Sequence, residues 1–212
     1  MSRFTAVFAA LVSLLAAEQA NANLIVNGTF ESSFSSQGTL FPTGWTSNNF
    51  ESGLSGIMSF QGVDPDGGSS ALSLSNFVSH GLATIQQDVN TVSNATYTLT
   101  YWYTSKGDSS ATQPPGIELQ VLWNGTIADD LIDPPHSTNG FTEHTLTLTG
   151  TGHDTLKFAG LNDPGFSFLD NVDLEGQSQS AVPEPSSFAV FGLMGALGLL
   201  VSARRRKSAV AT

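Results

Sequence analysis

Residues 96–103 read Thr-Tyr-Thr-Leu-Thr-Tyr-Trp-Tyr, the strongest β composition of any stretch in the chain. Successive side chains of a strand point to opposite faces of its sheet, so this stretch divides into two rows. The first row comprises Tyr97, Leu99, Tyr101 and Tyr103. The second row comprises Thr98, Thr100 and Trp102. We expect one row in a core and the other at the surface, and alternation alone leaves open which is which.

Further short alternating runs occur between Asn23 and Gly176, separated by clusters of Gly, Pro, Asn, Asp and Ser. No stretch there has the apolar spacing of an amphipathic helix. About eight such strands in about 150 residues are typical of a two-sheet sandwich, so we predict an all-β jelly roll over residues 23–176. Asn124-Gly125 indicates a tight hairpin. The runs lie at residues 24–30, 71–75, 83–89, 117–123, 126–131, 142–149, 155–159 and 167–174.

The composition excludes several chemistries. The 212 residues include no cysteine, which rules out disulfides, thiolate metal sites and a cysteine nucleophile. They include 18 acidic and 7 basic residues, for a net charge of -11, and only Lys106 and Lys157 lie between the two ends of the chain. The excess of acidic residues in the central part of the chain repels phosphate backbones and anionic lipid. Nucleic acid is therefore not an expected partner.

The first 22 residues have the layout of a secretory signal peptide. Arg3 precedes an apolar stretch at residues 4–17, and Ala20-Asn21-Ala22 forms a small-x-small cleavage site. We expect export through the inner membrane, with a mature chain that begins near Asn23.

The C-terminal end has three parts. A linker at residues 177–185 carries Val182-Pro183-Glu184-Pro185, whose prolines keep the peptide extended. Residues 186–203 carry no charge and are long enough for a transmembrane helix. Arg204, Arg205, Arg206 and Lys207 then start a basic tail at residues 204–212, which predicts a cytoplasmic tail and an external domain.

This tail closely resembles the PEP-CTERM sorting signal of Gram-negative bacteria, because Pro-Glu-Pro, a hydrophobic span and an Arg cluster follow one another at the terminus. The resemblance implies recognition by an exosortase, removal of the span, and release or attachment of the domain at the cell surface. It also implies association with extracellular polysaccharide and biofilm. An ordinary single-span membrane anchor is the alternative.

Four fragments of the central domain resemble galactose-binding-like jelly rolls, the architecture of many carbohydrate-binding modules. They are residues 23–31 (Asn-Leu-Ile-Val-Asn-Gly-Thr-Phe-Glu), Gly44-Trp45, residues 97–100 and residues 168–172 (Phe-Leu-Asp-Asn-Val). The resemblance implies the fold first, and sugar binding by analogy. It also implies a structural Ca²⁺ that ties the first strand to the last, with Glu31 and Asp170 as ligands. Solvated surface carboxylates are the alternative.

Sugar recognition requires exposed planar side chains that stack on ring faces. The candidates are Trp45, Trp102, Tyr103 and Trp123. Core packing is the alternative for each of them.

No catalytic motif is recognisable, and the histidines are scattered at positions 80, 136, 144 and 153. We therefore expect a non-catalytic, exported surface or matrix protein associated with exopolysaccharide. Two alternatives remain: a lectin-like module with a defined sugar site, and a secreted glycoside hydrolase that uses paired carboxylates.

Overall fold

The structure is a computed structural model that describes residues 22–59, 65–107, 116–134, 140–163 and 165–176. Within these residues, no helix is long and apolar enough to cross a membrane. The described residues include only Ala22 of the predicted signal peptide. The linker, the hydrophobic span and the basic tail lie entirely outside them. The described part of the chain contains a short 3₁₀ helix at Val78–His80 and twelve strands. The strands are β1 (Ser33–Ser36), β2 (Thr39–Pro42), β3 (Thr46–Asn48), β4 (Ser55–Ser59), β5 (Ser70–Leu74), β6 (Ala83–Asn90), β7 (Thr96–Gly107), β8 (Ile117–Trp123), β9 (Thr126–Ile132), β10 (Thr142–Thr149), β11 (His153–Asn162) and β12 (Gly165–Gly176).

Ten of these strands form two antiparallel sheets. Sheet I has the order β10-β7-β12-β5-β4, and sheet II has the order β3-β6-β11-β8-β9. From β5 to β12 each strand crosses to the other sheet, except that β8 and β9 form a hairpin. This is the connectivity of an eight-stranded jelly roll, which confirms the predicted fold class. Strands β1 and β2 form a separate two-stranded hairpin.

The tyrosine row of β7 faces the core. Tyr97, Leu99, Tyr101 and Tyr103 are all at most 5% exposed. They pack with residues of sheet II, as when the ring of Tyr101 meets Phe158 edge-on at 5.5 Å. The alternate row, with Trp102, faces outward and is partly exposed. Burial therefore answers the question that alternation left open.

The β8–β9 hairpin turns at Asn124 and Gly125, with φ of 52° and 78°. Positive φ at both positions is characteristic of a type I′ turn, which confirms the predicted hairpin.

The predicted strand at residues 24–30 is wrong. Positive φ at Asn27 and Phe30 (54° and 53°) breaks the extended backbone. The segment instead follows the end of β12 through separate hydrogen bonds, from Leu24 N to Leu174 O and from Val172 N to Gly28 O, both 2.9 Å. The start of the domain is thereby fastened to its last strand.

Candidate functional site

Trp45 is a core residue. It is 7% exposed and its ring packs against Phe30 and Phe158, with centroid distances of 5.8 and 6.3 Å. Its Nε1 donates to the carbonyl oxygen of Asn27 at 3.2 Å, which satisfies the polar end of the buried indole. Trp45 therefore presents no free face to a sugar.

Trp123 and Tyr103 are also buried, at 9% and 4% exposure. Trp123 Nε1 donates to the carbonyl oxygen of Thr149 at 2.9 Å, and the Tyr103 hydroxyl shares a 2.8 Å hydrogen bond with Ser167 Oγ. Burial raises the pKa of Tyr103 to about 12, and the hydrogen bond with Ser167 opposes part of this rise. Neither residue offers the exposed stacking surface that the sequence predicted, because both side chains pack in the core between the two sheets.

Trp102 lies on the outer face of sheet I. In the strand register it is opposite Glu143 on β10 and Asp170 on β12. Its side chain is partly exposed, so it alone of the four predicted stacking residues reaches the surface. The exposed carboxylate of Glu143 places hydrogen-bond acceptors beside this stacking surface, whereas the carboxylate of Asp170 is buried.

Two partly exposed phenylalanines, Phe141 and Phe166, extend this surface over a buried third, Phe168, and sequence reasoning missed them. Phe166 and Phe168 stack at 6.0 Å, and Phe168 and Ala71 form a cluster with Met58, Phe141 and Phe166. Phe168 pairs with Thr104, two residues from Trp102 on β7, which places it diagonally across the ladder from the indole. Phe166 and Phe168 are two residues apart where a predicted strand begins, and this spacing could have indicated that both rings lie on one face of the sheet. We call the partly exposed Trp102, Phe141 and Phe166 the outer aromatic surface, and Phe168, at 7% exposure, is packed beneath it.

Asp170 is fully buried despite its outward-facing position. Its Oδ1 accepts a 2.7 Å hydrogen bond from the backbone N–H of Asn171. The register between β7 and β12 shifts between Asp170 and Asp173, and Asn171 has φ of 45°. Such a bulge re-aims side chains and bends the strand. Burial raises the pKa of the nearby Asp173, and the charge of Glu175 raises it further.

Glu31 approaches the same part of sheet I from the N-terminal segment. Its Oε1 accepts hydrogen bonds from the N–H groups of Ser69 and Ser70, at 3.0 and 2.9 Å. Because Leu169 pairs with Leu72, Asp170 is next in register to Ala71, the residue after Ser70. The two predicted metal ligands thus flank the start of β5.

No three His, Asp or Glu side chains among the described residues form a metal-binding group. A cation beside Glu31 and Asp170 would therefore need backbone carbonyl oxygens as further ligands, which Ca²⁺ accepts readily. The left-handed conformation of Phe30, a buried bulky residue immediately before Glu31, costs free energy and is characteristic of tightly constrained sites.

The described histidines lie on separate elements. His80 Nδ1 is 3.1 Å from Glu51 Oε2, and His153 Nδ1 is 3.1 Å from Asn90 Oδ1. His144 stacks on Tyr101 with a centroid distance of 5.0 Å. His136 lies outside the described residues. The arrangement of these three therefore offers no shared acid–base centre.

Several solved structures resemble this fold at low sequence identity. The enzymatically active domain of tailspike protein 4 from bacteriophage CBA120 has 17% identity and a TM-score of 0.49, over 73% of this chain and 21% of the tailspike chain. The K3 adhesin domain of Lys-gingipain from Porphyromonas gingivalis has 16% identity and a TM-score of 0.48, over 73% and 98%. The carbohydrate-binding module TmCBM61, solved with β-1,4-galactotriose, has 13% identity and a TM-score of 0.45, over 74% and 99%.

Comparison with curated proteins finds no significant sequence relative. The C-terminal segment does match a family model. Residues 181–207, which include Val182-Pro183-Glu184-Pro185 and the basic run at 204–207, carry a PEP-CTERM protein-sorting motif.

Proposed function

We propose that this is an exported, exosortase-processed surface or matrix protein that binds extracellular polysaccharide without catalysing its breakdown. The sorting motif at residues 181–207 is the observation that carries the proposal. It follows a jelly-roll domain with a large excess of acidic residues, and high net charge keeps such a domain soluble outside the cell. After processing, the domain would remain at the cell surface or in the matrix, in contact with exopolysaccharide and biofilm.

The outer aromatic surface is the proposed contact with the polymer. Trp102 would stack on a sugar ring, and Glu143, exposed beside it on β10, would accept hydrogen bonds from sugar hydroxyls. A sheet face is open at both ends, so it suits an extended chain better than a single small molecule. Weak contacts repeated along a polymer give useful overall attachment through multivalency.

We also propose a structural Ca²⁺ at Glu31 and Asp170. Carboxylate oxygens suit this hard cation, and the carboxylate-bearing residues Glu31 and Asp170 flank the start of β5. When bound, the ion would supply positive charge and cross-linking rather than reaction chemistry. Glu31 and Asp170 would then hold the N-terminal segment against β5 and β12.

Co-sedimentation of the processed protein with exopolysaccharide from the producing cells tests the binding. We expect saturable binding by the native protein and about a tenfold weaker affinity for Trp102→Ala, which corresponds to about 1.4 kcal/mol. Phe34→Ala is the matched control, because Phe34 is an exposed aromatic (54%) on the separate β1–β2 hairpin. Unchanged affinity in Trp102→Ala would remove the outer aromatic surface from the binding site.

Mass spectrometry of the protein released into culture fluid tests the sorting step. Exosortase processing predicts a mass that lacks the signal peptide and residues 204–212. A released protein that retains Arg204 to Thr212 would contradict it.

A further inference from the structure

A second feature lies at the open side of the sandwich, where edge strand β10 of sheet I faces edge strand β9 of sheet II. A cavity of about 200 Å³ occurs there. Its walls include Tyr103 from β7, Leu131 from β9, Pro134, and Thr142 and His144 from β10. This is smaller than the roughly 300–1,000 Å³ of sites for drug-sized ligands, so it has room for one ring.

A β-bulge sets the polarity of this edge. Val121 pairs with Asp129 whereas Leu122 pairs with Ile127, so Ala128 is an extra residue on β9. The bulge turns Asp129 toward the inside of the sandwich, while Ile127 remains 51% exposed on the outside. Asp129 Oδ2 then accepts a 2.7 Å hydrogen bond from the Tyr101 hydroxyl, which joins the two sheets beside the cavity.

His144 forms a flat wall of the cavity. Its ring lies opposite Tyr101 in the register and is nearly parallel to the tyrosine ring, with an interplanar angle of 10°. Within the described residues the imidazole is held by this stacking and not by a hydrogen bond to a ring nitrogen. Burial lowers the pKa of His144, partly offset by the charge of Asp129. A neutral imidazole has one donor and one acceptor nitrogen available.

We propose that this cavity binds a single neutral or amino hexopyranose ring, as the end sugar of a polysaccharide chain. Tyr103 and Leu131 supply an apolar wall, and the His144 nitrogens and the Thr142 hydroxyl bind sugar hydroxyls. This inference rests on the proposed function and adds a pocket for chain ends to the open surface around Trp102.

Charge selects the class of sugar. Asp129 on β9 faces the inside of the sandwich beside the cavity, and Asp130 on β9 and Glu118 on β8 add carboxylates on the outer face of sheet II at the same edge. Lys106, the nearest basic residue along the chain, points to the outer face, where its Nζ lies 5.9 Å from the ring centre of Phe168. A uronic acid would be repelled by this negative field, whereas a neutral or protonated amino sugar would not.

NMR titration of the histidine side chains in the processed protein tests the inference. The probes are the methyl glycosides of galactose, glucose, glucosamine and glucuronic acid. We expect a neutral or amino glycoside to shift the His144 imidazole saturably, with a dissociation constant of about 1–10 mM. His153, at the far end of β11, serves as an internal reference and stays unchanged, and the glucuronide shifts neither residue.

Two variants of one strand provide the control. Thr142→Trp fills the cavity mouth from an exposed position and abolishes the His144 response. Thr147→Trp adds the same ring to the outward-facing side of β10 and leaves the response intact. Absence of any saturable His144 shift, or a normal response in Thr142→Trp, would overturn the inference.

The two proposals fail separately. If His144 does not respond but the protein still co-sediments with polysaccharide in a Trp102-dependent way, the cavity is excluded and the proposed function stands. If His144 responds while the native protein fails to co-sediment, the cavity stands and the proposed function falls.

Discussion

Trp102 on β7 lies directly opposite Asp170 on β12 in the outer face of sheet I. The one tryptophan that reaches the surface is therefore the cross-strand neighbour of a fully buried carboxylate. Directly opposed side chains in a sheet are about 4.5–5.5 Å apart at Cβ, so a change at Asp170 is felt at the indole. The proposed calcium site and the proposed sugar contact are coupled through this pair.

Calcium is expected to raise the melting temperature of the purified protein. A ligand at 100 times its dissociation constant stabilises the fold by about 2.7 kcal/mol, and scanning calorimetry with and without CaCl₂ measures this. Glu31→Gln should lose most of the shift because it removes a ligand charge. Glu143→Gln is the control, since this exposed carboxylate lies on the other side of Trp102. If calcium gives the native protein no binding heat and no rise in melting temperature, the site is excluded.

Asp154 is expected to control stability in acid. This 1% exposed carboxylate accepts hydrogen bonds from Asn124 Nδ2 (2.5 Å), Thr151 Oγ1 (2.6 Å) and Thr91 Oγ1. Burial raises the pKa of Asp154, but the hydrogen bonds outweigh burial and lower it from 3.8 to about 2. Since the folded-state pKa is depressed, the stabilisation is present above about pH 4 and is lost as the pH falls toward 2.

Urea unfolding at pH 7 and near pH 2 measures this effect. Asp154→Asn should lower the free energy of unfolding by about 1–3 kcal/mol at pH 7, and the difference should shrink in acid. Asp88→Asn is the matched control, because Asp88 is exposed and accepts only from Thr155 Oγ1 among the hydrogen bonds of the described residues. An equal loss at both pH values would contradict the assignment.

Gln87 is expected to fasten the N-terminal segment. Its Oε1 accepts from Val26 N at 2.8 Å, and its Nε2 donates to the carbonyl oxygens of Val26 and Gly44, both at 3.0 Å. Gln87→Met should lower the free energy of unfolding by about 1–3 kcal/mol and speed proteolysis within residues 23–44. Gln86→Met, at the neighbouring outward-facing position, should do neither. Equal effects of the two substitutions would show that the amide bonds contribute nothing.

Substitution of Trp123 is expected to lower the stability of the fold without changing polysaccharide binding, whereas substitution of Trp102 is expected to leave stability nearly unchanged. Trp123→Phe removes the hydrogen bond to the Thr149 carbonyl and should lower the free energy of unfolding by about 1–3 kcal/mol. Polysaccharide affinity of the folded protein should not change. Trp102→Phe should alter stability by no more than about 0.5 kcal/mol, because surface substitutions rarely do more. Denaturant unfolding and co-sedimentation of both variants check the pattern, and a binding defect in Trp123→Phe would contradict it.

Period-two alternation was enough to predict the strands of the jelly roll proper. The stretches at 96–103, 117–123 and 142–149 are all strands; the first two bury a full row of large side chains, and the third buries Leu148 and half-buries Leu146. Strands β1 to β4 were missed since they are three to five residues long, and β1, β3 and β4 are rich in Ser, Thr or Gly. Their pairing comes from neighbouring chain segments and not from their own composition.

The candidate site was less predictable for a related reason. Both rows of β7 contain large rings, so only the position of sheet II decides that Tyr103 is buried and Trp102 is not. The approach of Glu31 to Ser69 and Ser70 spans nearly forty positions of sequence. Asp129 faces inward because of a bulge at Ala128, and β9 contains no glycine or proline from which this bulge could have been predicted.

The central place of β12 in sheet I has a mechanical consequence. This last strand pairs with β7 on one side and β5 on the other, so tension on the chain beyond Gly176 would run along a strand held at both flanks. Its ladder bonds lie across the direction of pull and would have to rupture together, not one at a time from an edge. Load applied at the C-terminal end of β12 would thus enter the domain through a strand that is paired on both sides.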